Sequence, residues 1–109
     1  MIMALLIIPT RTDLDNYEMS VELDGATYQF IFAWNYRDQA WYFSIADSDG
    51  VPIASGVRIV VDWILLKHIS DSRKPPGTLV AIDTAGTGVD PGLTELGDRV
   101  QLMYQEAAA

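Results

Sequence analysis

The chain has no cysteine. That excludes a disulfide framework, thiol catalysis and cysteine-ligated metal, and it suits assembly in a reducing cytoplasm. Basic charge is scarce: seven Lys and Arg stand against fifteen Asp and Glu, a formal net charge of -8. A duplex-binding protein displaces counterions with basic residues, so stable nucleic-acid binding is not expected. An acidic surface still suits a basic protein partner, or a channel wall that repels DNA. Histidine is nearly absent, His68 being the one example. A triad or a histidine-based metal site needs partners in fixed geometry. Ser70 and Asp71 lie close by, but neighbours in a loop are not a triad, and His68 reads as a surface or helix-end residue. No G-x-S-x-G elbow supports a hydrolase of that type.

Long apolar runs are missing too. Met1 to Ile8 is apolar but far short of the ~20 residues a membrane span needs. It also lacks the basic start and small-residue cleavage site of a signal peptide. It reads as a first β-strand, or as an arm that docks on a neighbouring subunit. The sequence holds no internal repeats, heptads or low-complexity runs.

What the chain does have is alternation. Half of its 109 residues are hydrophobic, enough for a real core. Tyr17, Met19, Val21 and Leu23 alternate with Glu18, Ser20, Glu22 and Asp24, the period of a strand with one wet and one buried side. Asp24-Gly25 then signals a two-residue hairpin. With those residues as the turn, Leu23 faces Ala26, Val21 faces Tyr28, Met19 faces Phe30 and Tyr17 faces Phe32. Register and pattern agree. A second tight turn at Arg37-Asp38 pairs Trp34 with Trp41, Phe32 with Phe43 and Phe30 with Ile45. This meander is expected to nucleate an all-β domain.

The rest is short segments between turn signals. Pro9 ends the first run. Asp47-Ser48-Asp49-Gly50 is a turn before a strand from Ile53 to Ser55, and Gly56 marks a bulge or bend. Val57 to Leu66 is apolar on both faces, so a buried strand and a short helix are hard to separate. A strand to Val61 with a helical turn after it, capped by Asp62 and running to His68, is the favoured reading. Ile69 to Gly77 reads as loop. Leu79 to Ile82 reads as a buried strand and Asp83 to Gly92 as a long loop. One helical turn is expected at Thr94 to Leu96, ended by Gly97. A last strand runs from Arg99 to Gln105, with Val100, Leu102 and Tyr104 on one face. Residues 106–109 have no reason to order alone.

Three stretches invite chemical readings. Asp47-Ser48-Asp49-Gly50 opens like a calcium loop, but that pattern needs a bidentate Glu at its twelfth position, where this chain has Arg58. Gly86-Thr87-Gly88 is glycine-rich, yet no lysine follows and no strand-to-helix context supports a phosphate loop. Trp34, Tyr36, Trp41 and Tyr42 would suit stacking on a sugar or another flat ligand. The pairing above favours core packing for Trp34 and Trp41. Tyr42 faces the other way and Tyr36 sits at a strand end, so both suit an exposed or interface role.

The order of turns and strands resembles the cyanophage baseplate plug family. The residues that carry the resemblance are Trp34-Asn35-Tyr36-Arg37 with Trp41-Tyr42-Phe43, then Asp47 to Ile53 and Gly56-Val57. Pro76 to Val80 with Asp83, and Leu96 to Tyr104, continue it. It spans most of the chain after Tyr17, while the N-terminal strand and Ile69 to Lys74 carry little of it. These are turn and core signatures, not catalytic ones, and no catalytic residues carry over. The resemblance implies a structural protein of a contractile-tailed phage. Such a plug sits at the base of the tail tube near the hub and helps close the channel until the tail contracts. It packs against copies of itself or against hub and tube proteins.

The expectation is therefore a single all-β domain over residues 1–109, a small antiparallel β-barrel or sandwich with at most one or two short helical turns. It is expected to be no enzyme, with no catalytic, cofactor-binding or metal residues, no cofactor and no membrane contact. Its place would be the virion tail baseplate, after assembly in the host cytoplasm, as a homo-oligomer beside hub and tail tube proteins. The alternative from another class is a small β-module that binds a carbohydrate or other flat ligand through exposed aromatics.

Overall fold

In the computed structural model, which describes residues 5–67, 69, 71 and 73–106, seven strands form two antiparallel sheets. Four consecutive strands make a meander: β2 (Asn16–Leu23), β3 (Ala26–Asn35), β4 (Ala40–Ala46) and β5 (Pro52–Arg58). The second sheet holds β1 (Leu5–Ile7), β7 (Val100–Gln105) and β6 (Thr78–Asp83), with β7 in the middle. Their inner faces meet in one apolar cluster. Phe30, Phe32, Trp41, Phe43 and Ile45 come from the meander, and Leu79, Ala81, Leu102 and Tyr104 from the smaller sheet. The result is a sandwich and not a closed barrel.

The meander register is the one the sequence pattern demands. Leu23 pairs with Ala26, Val21 with Tyr28, Met19 with Phe30 and Tyr17 with Phe32. Trp34 pairs with Trp41, Phe32 with Phe43 and Phe30 with Ile45. Asp24 and Gly25 both take positive φ, 51° and 80°, as the tightest hairpin turn requires. In the next turn the Asn35 side chain accepts the N–H groups of Arg37 and Asp38, each at 3.0 Å. Gly56, at φ 66°, sits where the pairing of β5 with β4 slips its register, so the bend read from the sequence is a bulge.

Two local expectations are corrected, because no helix forms among the described residues. After Arg58 the chain leaves the meander. The Ile59 N–H still reaches Trp41 O at 2.9 Å, but Val61 already bridges to Ala81 on β6. Asp62 takes a left-handed φ of 64°, which cannot start a helix. The N–H groups of Asp62 and Leu65 bond instead to Ala81 O and Leu79 O, each at 2.9 Å. The stretch is apolar on both faces because it crosses from one sheet to the other. At Thr94 to Leu96 the chain makes single turns, with Glu95 N–H on Gly92 O and Asp98 N–H on Glu95 O, each at 3.1 Å. The apolar start is a strand from Leu5. Residues 1–4 of that run and 107–109 of the expected tail lie outside the described residues, as do His68 and Ser70.

One polar bolt ties the sheets together. The buried Tyr104 hydroxyl on β7 donates to Asp24 in the β2–β3 turn and accepts the Gly77 N–H at 2.6 Å. Burial and the Asp24 partner push this hydroxyl well above the usual tyrosine range. Gly77 is required by close approach: a Cβ there would run into the Gln105 carbonyl and the Tyr104 ring.

Candidate functional site

The two sheets differ on their outer faces. The meander's outer face is an ordinary wet surface, carrying Glu18, Ser20, Glu22, Gln29, Ser44 and Arg58 among others. Antiparallel sheets of this kind bury one face and hydrate the other. The smaller sheet does not follow that rule. Leu5 and Ile7, Gln101, Met103 and Gln105, and Thr78, Val80 and Ile82 share its outer face, and none of these side chains is charged. Ile7 pairs with Met103, Met103 with Val80, and Val80 bridges to Ile64. An unbroken apolar row therefore crosses the face from the β1 edge to the crossing segment.

The row ends in a groove. Arg58, Val60, Trp63, Ile64, Leu65 and Lys67 line a hollow of about 380 Å³. Trp63 is 63% exposed and Ile64 48%, with Leu5 and Ile7 similarly bare at the other end. Exposed apolar side chains are ordinary singly, but a contiguous, uncharged set marks a contact surface. The sequence carried a signal for it. Leu79-Val80-Ala81-Ile82 shows no alternation, the composition of a strand covered on both sides. The inner side is the core. On the outer side Val80, Ile82 and Met103 stay only half-covered.

The residues singled out for chemistry are occupied otherwise. Asp47 accepts the N–H groups of Asp49 and Val51 at 2.9 and 3.0 Å, and its second oxygen pairs with Arg73 at 3.0 Å. It locks a turn. Asp71 is held down to about 2 by its bonds from the Arg73 side chain and backbone. Trp34 and Trp41 lie in the core. The Tyr36 hydroxyl donates to Asp15 at 2.6 Å and that of Tyr42 to Asp38 at 2.9 Å, at the meander's turn end. Trp34 meets Tyr36 and Trp41 edge-on, while Tyr42 lies on the other face of the sheet, so the four form no common flat platform.

The glycine-rich loop does bind an anion, but its own. The N–H groups of Ala85, Thr87 and Gly88 point at the Asp83 carboxylate, at 2.9, 2.7 and 2.9 Å, and the Thr87 hydroxyl donates to it as well. Arg99 pairs with the same carboxylate at 3.0 Å, then reaches the Val89 and Asp90 carbonyls and Glu95. Successive N–H groups form a nest for negative charge, and here Asp83 fills it. Sequence reading missed this network, since Asp83 and Arg99 are sixteen positions apart and no spacing rule joins them.

The Thr87 hydroxyl, the loop N–H groups and Arg99 hold the Asp83 carboxyl well below the usual carboxylate range. Its folded-state pKa is lower than the ~3.9 of an unfolded aspartate, so its contribution to stability is full above that range and fades as pH falls through the folded value. Asp83→Asn is expected to lower the urea midpoint at neutral pH. Its deficit against wild type should shrink as pH drops from about 4 towards 2. A deficit that stays constant over that window would show that the charge does not hold the loop.

Comparison with known proteins adds one match. The family model for the cyanophage baseplate Pam3 plug gp18 matches residues 5–107. A search of curated proteins finds no match.

Proposed function

We propose a role from the premise that the chain belongs to the cyanophage baseplate plug family: it is a structural component of a phage baseplate, and it closes the tail tube channel near the hub of a contractile tail. It works as a single β domain, by packing against hub and tube proteins and against copies of itself, without catalysis, cofactor, membrane contact or stable nucleic-acid binding. It is built in the host cytoplasm and resides in the virion.

One observation supports packing as the mechanism. The outer face of the β1–β7–β6 sheet is apolar and uncharged from Ile7 through Met103 and Val80 to Ile64, in a chain of net charge -8. Copies of an acidic chain meet with least repulsion on an uncharged face, and burying it against a partner removes apolar surface from water. The acidic remainder suits a channel wall, where it would repel the DNA backbone. Cross-linking mass spectrometry on isolated tails tests this reading. Links from this chain to tube and hub proteins are expected. Absence of the chain from purified tails would overturn it.

A further inference from the structure

The two sheets present four outer edges, and an unpaired strand edge is a template for another strand unless it is blunted. Three are blunted. β5 begins at Pro52, which has no N–H, and its register slips at the bulge. β1 spans three of the described residues. The edge of β6 is taken by the crossing segment through Asp62 and Leu65. β2 is different. It runs eight residues in unbroken register and holds no proline, glycine, lysine or arginine.

The phase of that edge is fixed. Asp15 O accepts the Trp34 N–H at 2.8 Å, so in antiparallel pairing the odd-numbered residues turn their backbone groups to β3. Asn16, Glu18, Ser20 and Glu22 turn theirs outward, and no backbone partner takes them among the described residues. Glu18, Ser20 and Glu22 are exposed on one face of the strand, while Met19 and Val21 sit half-buried at the rim of the core. An added strand would lay its side chains beside both sets.

We propose that the β2 edge receives an extended segment of another baseplate protein, in which two basic residues four positions apart flank alternating apolar ones. The basic pair would lie beside Glu18 and Glu22, and the apolar residues beside Met19 and Val21. Main-chain hydrogen bonds supply affinity in such strand addition, and the alternating side chains supply choice. A second copy of this chain is refused at the same edge. Antiparallel pairing of two β2 strands about Ser20 sets each Glu18 against a Glu22, and like charges opposite one another are destabilising. The inference rests on the baseplate reading for the partner's location. The edge geometry stands apart from that reading.

The test uses the full chain, isotope-labelled, titrated with a peptide built on Lys-Val-Thr-Val-Lys and with its Glu-Val-Thr-Val-Glu counterpart. The basic peptide is expected to shift amide signals along residues 16–22 and to slow hydrogen exchange at Glu18, Ser20 and Glu22. The Glu18→Lys, Glu22→Lys variant should lose about tenfold in affinity for the basic peptide and gain affinity for the acidic one. That reciprocal exchange is a readout no loss of fold produces. Absence of binding, equal binding of both peptides, or shifts elsewhere would overturn the proposal, leaving the glutamates as a shield against aggregation. Tails that contain the chain but show no cross-link at residues 16–22 would overturn it too, with the baseplate reading intact.

Discussion

Trp41→Ala is expected to cost about 3–5 kcal/mol of unfolding free energy, a large part of the ~5–15 kcal/mol that holds a small domain folded. Trp41 is fully buried, and three features converge on it. Its ring packs edge-on against Tyr17 at 6.0 Å and Trp34 at 5.7 Å between centroids. Its indole N–H donates to the Gly92 carbonyl at 3.1 Å, pinning the loop between β6 and β7 to the meander. Its own carbonyl accepts the Ile59 N–H at the point where the chain crosses between sheets. Alanine keeps the last bond, leaves a cavity where the ring was and strips the Gly92 carbonyl of its donor. Urea unfolding followed by far-ultraviolet circular dichroism measures the loss. A change under about 1 kcal/mol would show that the loop and the two sheets are joined elsewhere.

Trp63 makes the opposite case. Trp63→Ala combined with Ile64→Asp should leave the fold nearly untouched, within roughly 1 kcal/mol, because both side chains are exposed and the backbone bridge to Val80 persists. Assembly is where the effect should fall. An aspartate at Ile64 puts a charge into the contact, where Arg58 and Lys67 of the same hollow offset only part of its desolvation, and the indole anchor is gone as well. Incorporation into tails should drop on the order of a hundredfold, read by quantitative blotting of purified particles. Normal incorporation of this variant would remove the groove from the interface, even with the rest of the face retained.

The contrast between these tryptophans shows what a sequence reveals. Trp41 was placed correctly because it lies in a strand whose alternation, turn residues and cross-strand partners all agree. For Trp63 the sequence leaves the choice open, since Val57 to Leu66 is apolar on both faces and local pattern cannot say which of two sheets will claim each residue. The left-handed Asp62 that ends any helix there is set by bonds to β6, far along the chain. Arg99 was read as the start of a strand, yet its side chain joins Asp83 to Glu95 and organises the loop between them. Such a network depends on three-dimensional closure and leaves no spacing to read. The apolar outer face lay half in view, in the unalternating run from Leu79 to Ile82. What would cover that run, on the proposed packing, is another polypeptide, and no pattern within this chain can name it.

Electron cryo-microscopy of tails assembled with and without this chain tests the plug reading most directly. The expected result is density for the sandwich inside the lower end of the tail tube at the baseplate, with the β1–β7–β6 face against its neighbours, and an open channel when the chain is missing. Identical channels in both samples, or density for the chain on the outside of the tail, would contradict it.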